Sequence, residues 1–257
     1  MKVIVEHTMA DNIPVLHVCK EDFIKDELPL VVFIHGFTSA KEHNLHIAYL
    51  LAEKGLRVVL PDAKFHGERD ENLSEADLNL NFWNIVISSV KELEKIKNYF
   101  FEKKLIDGKN IGVAGTSMGG VATLGALTQY PWIKAAVSLM GSPNYQEFFK
   151  YLVDSYQKAG YTFPLSEEEI QQQFDALYEY DLSVHKEALC NRPLLFWHGM
   201  KDQVVPFAPT YQFYEEIKPL YADNPEHLAF IAEKDAGHKV SRKGVLETVE
   251  WFVRHLR

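Results

Sequence analysis

Short, continuous apolar runs, each closed by a glycine or a polar turn, constrain this chain most. "LPLVVFIHG" (28–36), "LRVVLPD" (56–62), "NIGVAG" (110–115), "KAAVSLMG" (134–141) and "RPLLFWHG" (192–199) place apolar residues on consecutive positions. A strand exposed on one face alternates apolar and polar residues. A strand buried on both faces does not, so these runs predict the interior of a parallel sheet. Helical patterns fall between them, at Lys41 to Lys54, Phe82 to Leu105 and Val121 to Gln129, with Gly55 and Asp107-Gly108 as stops. "HLAFIAE" (227–233) predicts a last strand and "KGVLETVEWFVRHLR" (243–257) a last amphipathic helix. At the start, "KVIVEHT" and "IPVLHVC" flank the turn-prone "MADN" and predict an antiparallel hairpin. The sum is an α/β chain with a doubly wound, mostly parallel, eight-stranded sheet.

One region breaks the alternation. Residues 144–191 separate two strands by far more chain than one crossover helix needs. Its pieces read as helical: "YQEFFKYLVDSYQKAG", "SEEEIQQQFDALYEY" and "VHKEAL". Ser166 followed by three glutamates predicts a capped helix start. The expectation is one domain over 1–257, with 144–191 inserted as a small helical cap before the strand leading to Asp202. Tyr145, Phe148, Phe149, Tyr161 and Phe163 are among its aromatic residues. They either pack the insert onto the body or line a pocket. Such an insert emerges at the carboxyl ends of strands, where open α/β sheets bind ligands.

Composition narrows the partners. A formal net charge of -9 argues against nucleic acid and anionic membranes. The two cysteines, Cys19 and Cys190, are too few for a disulfide framework and read as free thiols. "MKVIVEHTMADN" lacks the apolar stretch of a signal peptide, and runs such as "LVVFI" are too short to span a bilayer. These features predict a cytoplasmic protein with no membrane and no nucleic-acid partner.

The chemistry gathers at strand ends. Gly115-x-Ser117-x-Gly119 stands between a predicted strand and a predicted helix, the context of a nucleophile elbow. A serine hydroxyl is a weak nucleophile near neutral pH and needs a base. His238, in "KDAGHKVS", follows the last predicted strand. A histidine base needs a carboxylate to orient it. Asp202, in "FWHGMKDQVVP", follows a neighbouring strand; Asp235 is the rival, closer in sequence and better read as a turn residue. The order is then Ser117, Asp202, His238. An oxyanion hole needs one N–H after the nucleophile and one from the loop after the third strand, here Met118 and Phe37. His35 and Gly36 would shape that loop. His43 and His46 are three apart, yet no carboxylate set and no H-E-x-x-H accompany them, so no metal is expected.

With these pieces in view, "FIHGF", "PDAKFHGER", "GTSMGG", "HGMKDQVVP" and "AGH" resemble the α/β-hydrolase superfamily of serine esterases over nearly the whole chain. Within it the chain resembles small bacterial esterases of the YitV/YjfP kind, related to the catalytic domain of prolyl oligopeptidases. The resemblance implies an α/β-hydrolase fold and cleavage of a small carboxylic ester through an acyl-enzyme on Ser117, with no cofactor. "PDAKFHGERD" is similar to the D-x-x-G-H-G loop of many such enzymes, which implies that His66 shapes the site. Trp83, in the nearby "NFWN", would line the pocket. A peptidase of small peptides or aminoacyl amides is the second expectation. A non-catalytic ligand-binding protein on the same fold is the third.

Overall fold

The computed structural model describes residues 2–158, 160 and 164–257, so Tyr161 and Phe163 lie outside the described residues. Eight strands form one sheet: β1 (Val3–Ala10), β2 (Ile13–Lys20), β3 (Leu30–Ile34), β4 (Arg57–Pro61), β5 (Ile111–Thr116), β6 (Ala135–Leu139), β7 (Leu194–Gly199) and β8 (Leu228–Glu233). Their order is β1-β2-β4-β3-β5-β6-β7-β8. β1 pairs antiparallel with β2, and β2 with β4; every other pair is parallel. This is the eight-stranded, mostly parallel sheet of an α/β-hydrolase.

The apolar runs are strands covered on both faces. Leu30, Val32 and Ile34 point into one core, while Val31 and Phe33 point into the other. β7 divides the same way, with Leu194 and Phe196 on one side and Leu195 and Trp197 on the other. Helices α1 (Leu45–Glu53) and, near the C-terminus, Arg242–Leu256 cover one face. The opposite face carries α2 (Glu75–Leu80), α3 (Phe82–Glu102), α4 (Met118–Gln129), α5 (Tyr145–Lys158), α6 (Glu167–Leu177) and α7 (Phe207–Ile217), the C-terminal helix being α8. Among the described residues no helix is long and apolar enough to cross a membrane.

Several local expectations shift. The helix expected from Lys41 opens as a 3₁₀ turn, Lys41–Asn44. There the Lys41 N–H and ammonium both bond the buried Asp62 carboxylate, at 3.0 and 2.6 Å, and that tether sets the local path. α4 starts at Met118, three residues early, because Gly119 and Gly120 are helical. "VHKEAL" yields only a 3₁₀ turn, Lys186–Leu189, closed by Cys190 and Asn191 at φ 45° and 57°. α2 and α7 are elements that the sequence reading left unassigned.

Between β6 and β7 the described residues of 144–191 form α5, α6 and the 3₁₀ turns Tyr178–Tyr180 and Lys186–Leu189. Ser166 and Glu169 form a reciprocal capping box at the start of α6. The segment is anchored to α4: the buried Tyr145 hydroxyl donates to Val121 O at 2.8 Å, and the Thr128 hydroxyl and Gln129 amide donate to Glu179 O at 3.0 and 2.8 Å. Within it, the Gln146 N–H donates to Asp181 at 2.9 Å.

Candidate active site

Ser117 stands between β5 and α4 at φ 56° and ψ −114°, a region that few non-glycine residues occupy. Its N–H bonds Leu139 O at 2.7 Å, and its carbonyl accepts from the Val121 N–H at 2.9 Å, so the turn is clamped on both sides. The flanking glycines leave no space for a side chain. A Cβ on Gly119 would lie 2.1 Å from Ile34 O, and one on Gly115 would lie 2.3 Å from the Gly119 backbone. The pattern Gly-x-Ser-x-Gly is therefore a steric requirement of packing α4 against β3 and β5.

Three loops bring the sequence-predicted polar residues together. The His238 Nε2 lies 2.8 Å from Ser117 Oγ, and its Nδ1 lies 2.7 Å from Asp202 Oδ2. The Asp202 side chain is fully buried. Its Oδ1 accepts from the N–H groups of Val204 and Val205, at 2.9 and 3.0 Å. Burial works to raise the Asp202 pKa. Hydrogen bonds from His198 and His238, with that of Val204, outweigh it and hold the carboxyl well below the usual range. Asp235 is elsewhere, exposed and paired with Lys201 at 2.7 Å.

The loop after β3 is braced by two buried histidines. The His35 Nδ1–H donates to Gly36 O at 2.7 Å, and its Nε2 accepts from the Ala63 N–H at 3.0 Å. Burial pushes its pKa down to about 4, against the Gly36 bond, so the ring is neutral near pH 7. His66 donates from Nδ1 to Lys64 O at 2.8 Å and accepts the Thr38 N–H at 3.0 Å. Both rings are thus occupied with backbone, as loop-shaping residues would be. The Gly36 backbone lies against Thr116 and Ser117. Among the described residues, neither the Phe37 nor the Met118 N–H is taken by a hydrogen bond. Under this loop, Lys41, Asp62, Glu68 and Arg69 form a network that holds "PDAKFHGER" in place.

Ser117 opens onto a cavity of about 690 Å³, within the range of small-molecule sites. Phe37, Met118, Phe82, Trp83, Phe148 and Leu152 form much of its apolar wall. Ser74, Glu75 and Asn79 of the α2 region, with Gln173 of α6, add polar groups. Trp83 is one of the lining residues. Leu152, Val204, Val205 and the α2 residues were missed. Leu152 had a signal, because Tyr145, Phe148, Phe149, Leu152 and Tyr156 repeat at three to four residues on α5. α2 had none, since none of its residues is buried.

His43 bonds Ser39 at 2.8 Å, and among the described residues no group of three histidine, cysteine or acidic side chains could hold a metal ion.

Known proteins share the sequence pattern and the fold of this chain. The prolyl oligopeptidase family matches residues 42–257. "Putative esterase YitV" of Bacillus subtilis (strain 168) is 55% identical, over 98% of this chain and 99% of its own. Esterase YjfP of Escherichia coli (strain K12) is 30% identical, over 98% of this chain and 99% of its own. The crystal structure of TT1662 from Thermus thermophilus has the same fold, with a TM-score of 0.77 at 21% identity, covering 100% of this chain and 99% of that one.

Proposed function

That this chain belongs to the prolyl oligopeptidase family, with full-length relatives named as esterases, is the premise from which we propose its reaction: hydrolysis of small carboxylic esters through an acyl-enzyme on Ser117. The observation that carries this is the continuous hydrogen-bonded line from Asp202 through His238 to Ser117. In the proposed cycle Ser117 Oγ attacks the ester carbonyl carbon while its proton passes to His238 Nε2. Asp202 keeps the other ring nitrogen protonated and stabilises the imidazolium. The Phe37 and Met118 N–H groups donate to the oxyanion, where losing one such donor costs about 2.7–4 kcal/mol. The C–O bond breaks, and the alcohol leaves with the proton from His238. Water, deprotonated by His238, then attacks the acyl carbon, and the acid is released with Ser117 restored.

The cavity suits an uncharged apolar group of small size, and short acyl chains fit this reading. Residues 144–191 act in it as a cap of a single domain. Free Cys19 and Cys190 suit a reducing cytoplasm. The test is Ser117→Ala assayed on p-nitrophenyl acetate. We expect a folded variant with kcat lowered by about 10⁵-fold or more. Undiminished turnover would end the proposal. A fluorophosphonate that labels wild-type Ser117 excludes a purely ligand-binding role.

Cleavage of aminoacyl amides is the second reading. It is favoured by the family match and by Glu75, whose carboxylate is the one charged side chain on the cavity wall among the described residues. Matched aminoacyl esters and amides separate the two by their kcat/KM ratio.

A further inference from the structure

His198 is the penultimate residue of β7 and is buried, with 1% exposure. Its Nε2 lies 2.9 Å from Val205 O and 3.3 Å from Asp202 Oδ2. A backbone carbonyl only accepts, so Nε2 carries a proton and donates. In the neutral ring Nδ1 is then an acceptor, and it is buried with no partner among the described residues. Burying an unpaired acceptor is costly, and an apolar ring of the same shape would avoid it.

We propose that His198 is a positioning residue for the hydrolytic centre: its Nε2–H pins the Asp202–Val205 turn and shares the Asp202 carboxylate with His238. This rests on the serine-hydrolase reading above. Both carboxylate oxygens are then held. Oδ1 accepts from the Val204 and Val205 N–H groups, and Oδ2 accepts from His238 at 2.7 Å, with His198 Nε2, whose N–H is bonded to Val205 O, 3.3 Å away as the second, weaker neighbour. A carboxylate held at both oxygens cannot swing away from the imidazole. The edge-on contact with the Phe207 ring, at 5.8 Å and 89°, fixes the plane of His198. The titratable groups against Asp202 are His198 from β7 and His238 from the loop after β8. The adjoining Lys201 turns outward to Asp235.

Sharing also sets how strongly Asp202 pulls on His238. A second donor withdraws charge from Oδ2, so the carboxylate is a weaker acceptor for the first. Without His198, His238 would protonate more readily, and the acidic limb of kcat/KM would move to higher pH. A residue that served only packing would leave that limb in place.

The experiment compares His198→Phe with His198→Gln in the full chain, following p-nitrophenyl acetate hydrolysis from pH 5 to 9. Phenylalanine keeps the ring contact and removes the donor. Glutamine reaches with an amide N–H to the same place. For His198→Phe we expect kcat about tenfold lower, KM within about twofold, and an acidic limb moved to higher pH. For His198→Gln we expect kcat within about threefold of wild type and a limb close to it. Should His198→Phe fail to fold, His198→Asn replaces it, since its shorter amide falls short of Oδ2. The proposal is overturned if the donor-free variant keeps both kcat and limb, or if glutamine is as impaired as the donor-free variant. Wild-type protein that a fluorophosphonate fails to label overturns the serine-hydrolase reading instead.

Discussion

Ser117, Asp202 and His238 stand on loops that follow β5, β7 and β8 of one sheet, while the cavity beside them is walled largely by α2, α3, α5 and α6. The first region is held by backbone. Ser117 is clamped by Leu139 and Val121, Asp202 by the Val204 and Val205 N–H groups, and the His35 loop by Ala63. The second is held by side-chain packing, as in the edge-to-face contacts of Trp83 and Phe82 with Phe148. Backbone clamps tolerate little displacement, and reaction geometry fails over fractions of an ångström. Packed walls can be re-cut with a change of shape. On the proposed function, the difference sets where substitutions should act: on the reaction in the first region, on the choice of substrate in the second.

After Ser117 itself, the largest break should come at Asp202. Asp202→Asn removes the charge that supports the imidazolium and favours the wrong tautomer, so kcat should fall about 10⁴-fold with the fold kept. Stopped assays on p-nitrophenyl acetate, with circular dichroism as the folding check, measure this. A loss under tenfold would place the centre elsewhere.

A smaller effect tests the loop after β3. His35 is neutral in the fold, with its pKa down to about 4, while an unfolded histidine titrates near 6.5. Between those values the unfolded chain binds the extra proton. Stability from this group is present above about pH 6.5 and falls as pH drops towards 4, by up to about 3 kcal/mol. Urea midpoints should decline across that window, and less steeply in His35→Gln. Equal slopes would show that burial does not hold His35 neutral in the fold.

The smallest effect belongs to the cavity. Leu152→Trp should narrow it and lower kcat/KM for p-nitrophenyl hexanoate about tenfold relative to the acetate, in line with about 0.8 kcal/mol per buried methylene. Acetate kcat should stay within about twofold. If both esters lost rate equally, the separation of the two regions would collapse.

Much of the sheet was legible because two-sided burial leaves a local mark, an uninterrupted apolar run. The elbow was legible because close approach demands glycine at Gly115 and Gly119 whatever lies around them. α7 was legible too, with Phe207, Thr210, Phe213 and Ile217 at helical spacing, but went unread. α2 was not, since a helix with no buried residue leaves no periodic face. "VHKEAL" carries good helix formers, yet the left-handed Cys190 and Asn191 end it after one turn.

The sequence alone determined the strand pattern and the glycine-flanked turn at Ser117, because burial on two faces and steric need for glycine act on neighbouring residues, and it favoured Asp202 and His238 as the partners of that serine. Only the tertiary structure decided that Asp202, the carboxylate favoured over Asp235, does meet His238, that His198 stands 3.3 Å from the same carboxylate, and that residues from α2, α3, α5 and α6 line one cavity. Those outcomes depend on where distant segments converge, and no spacing along a chain records that convergence.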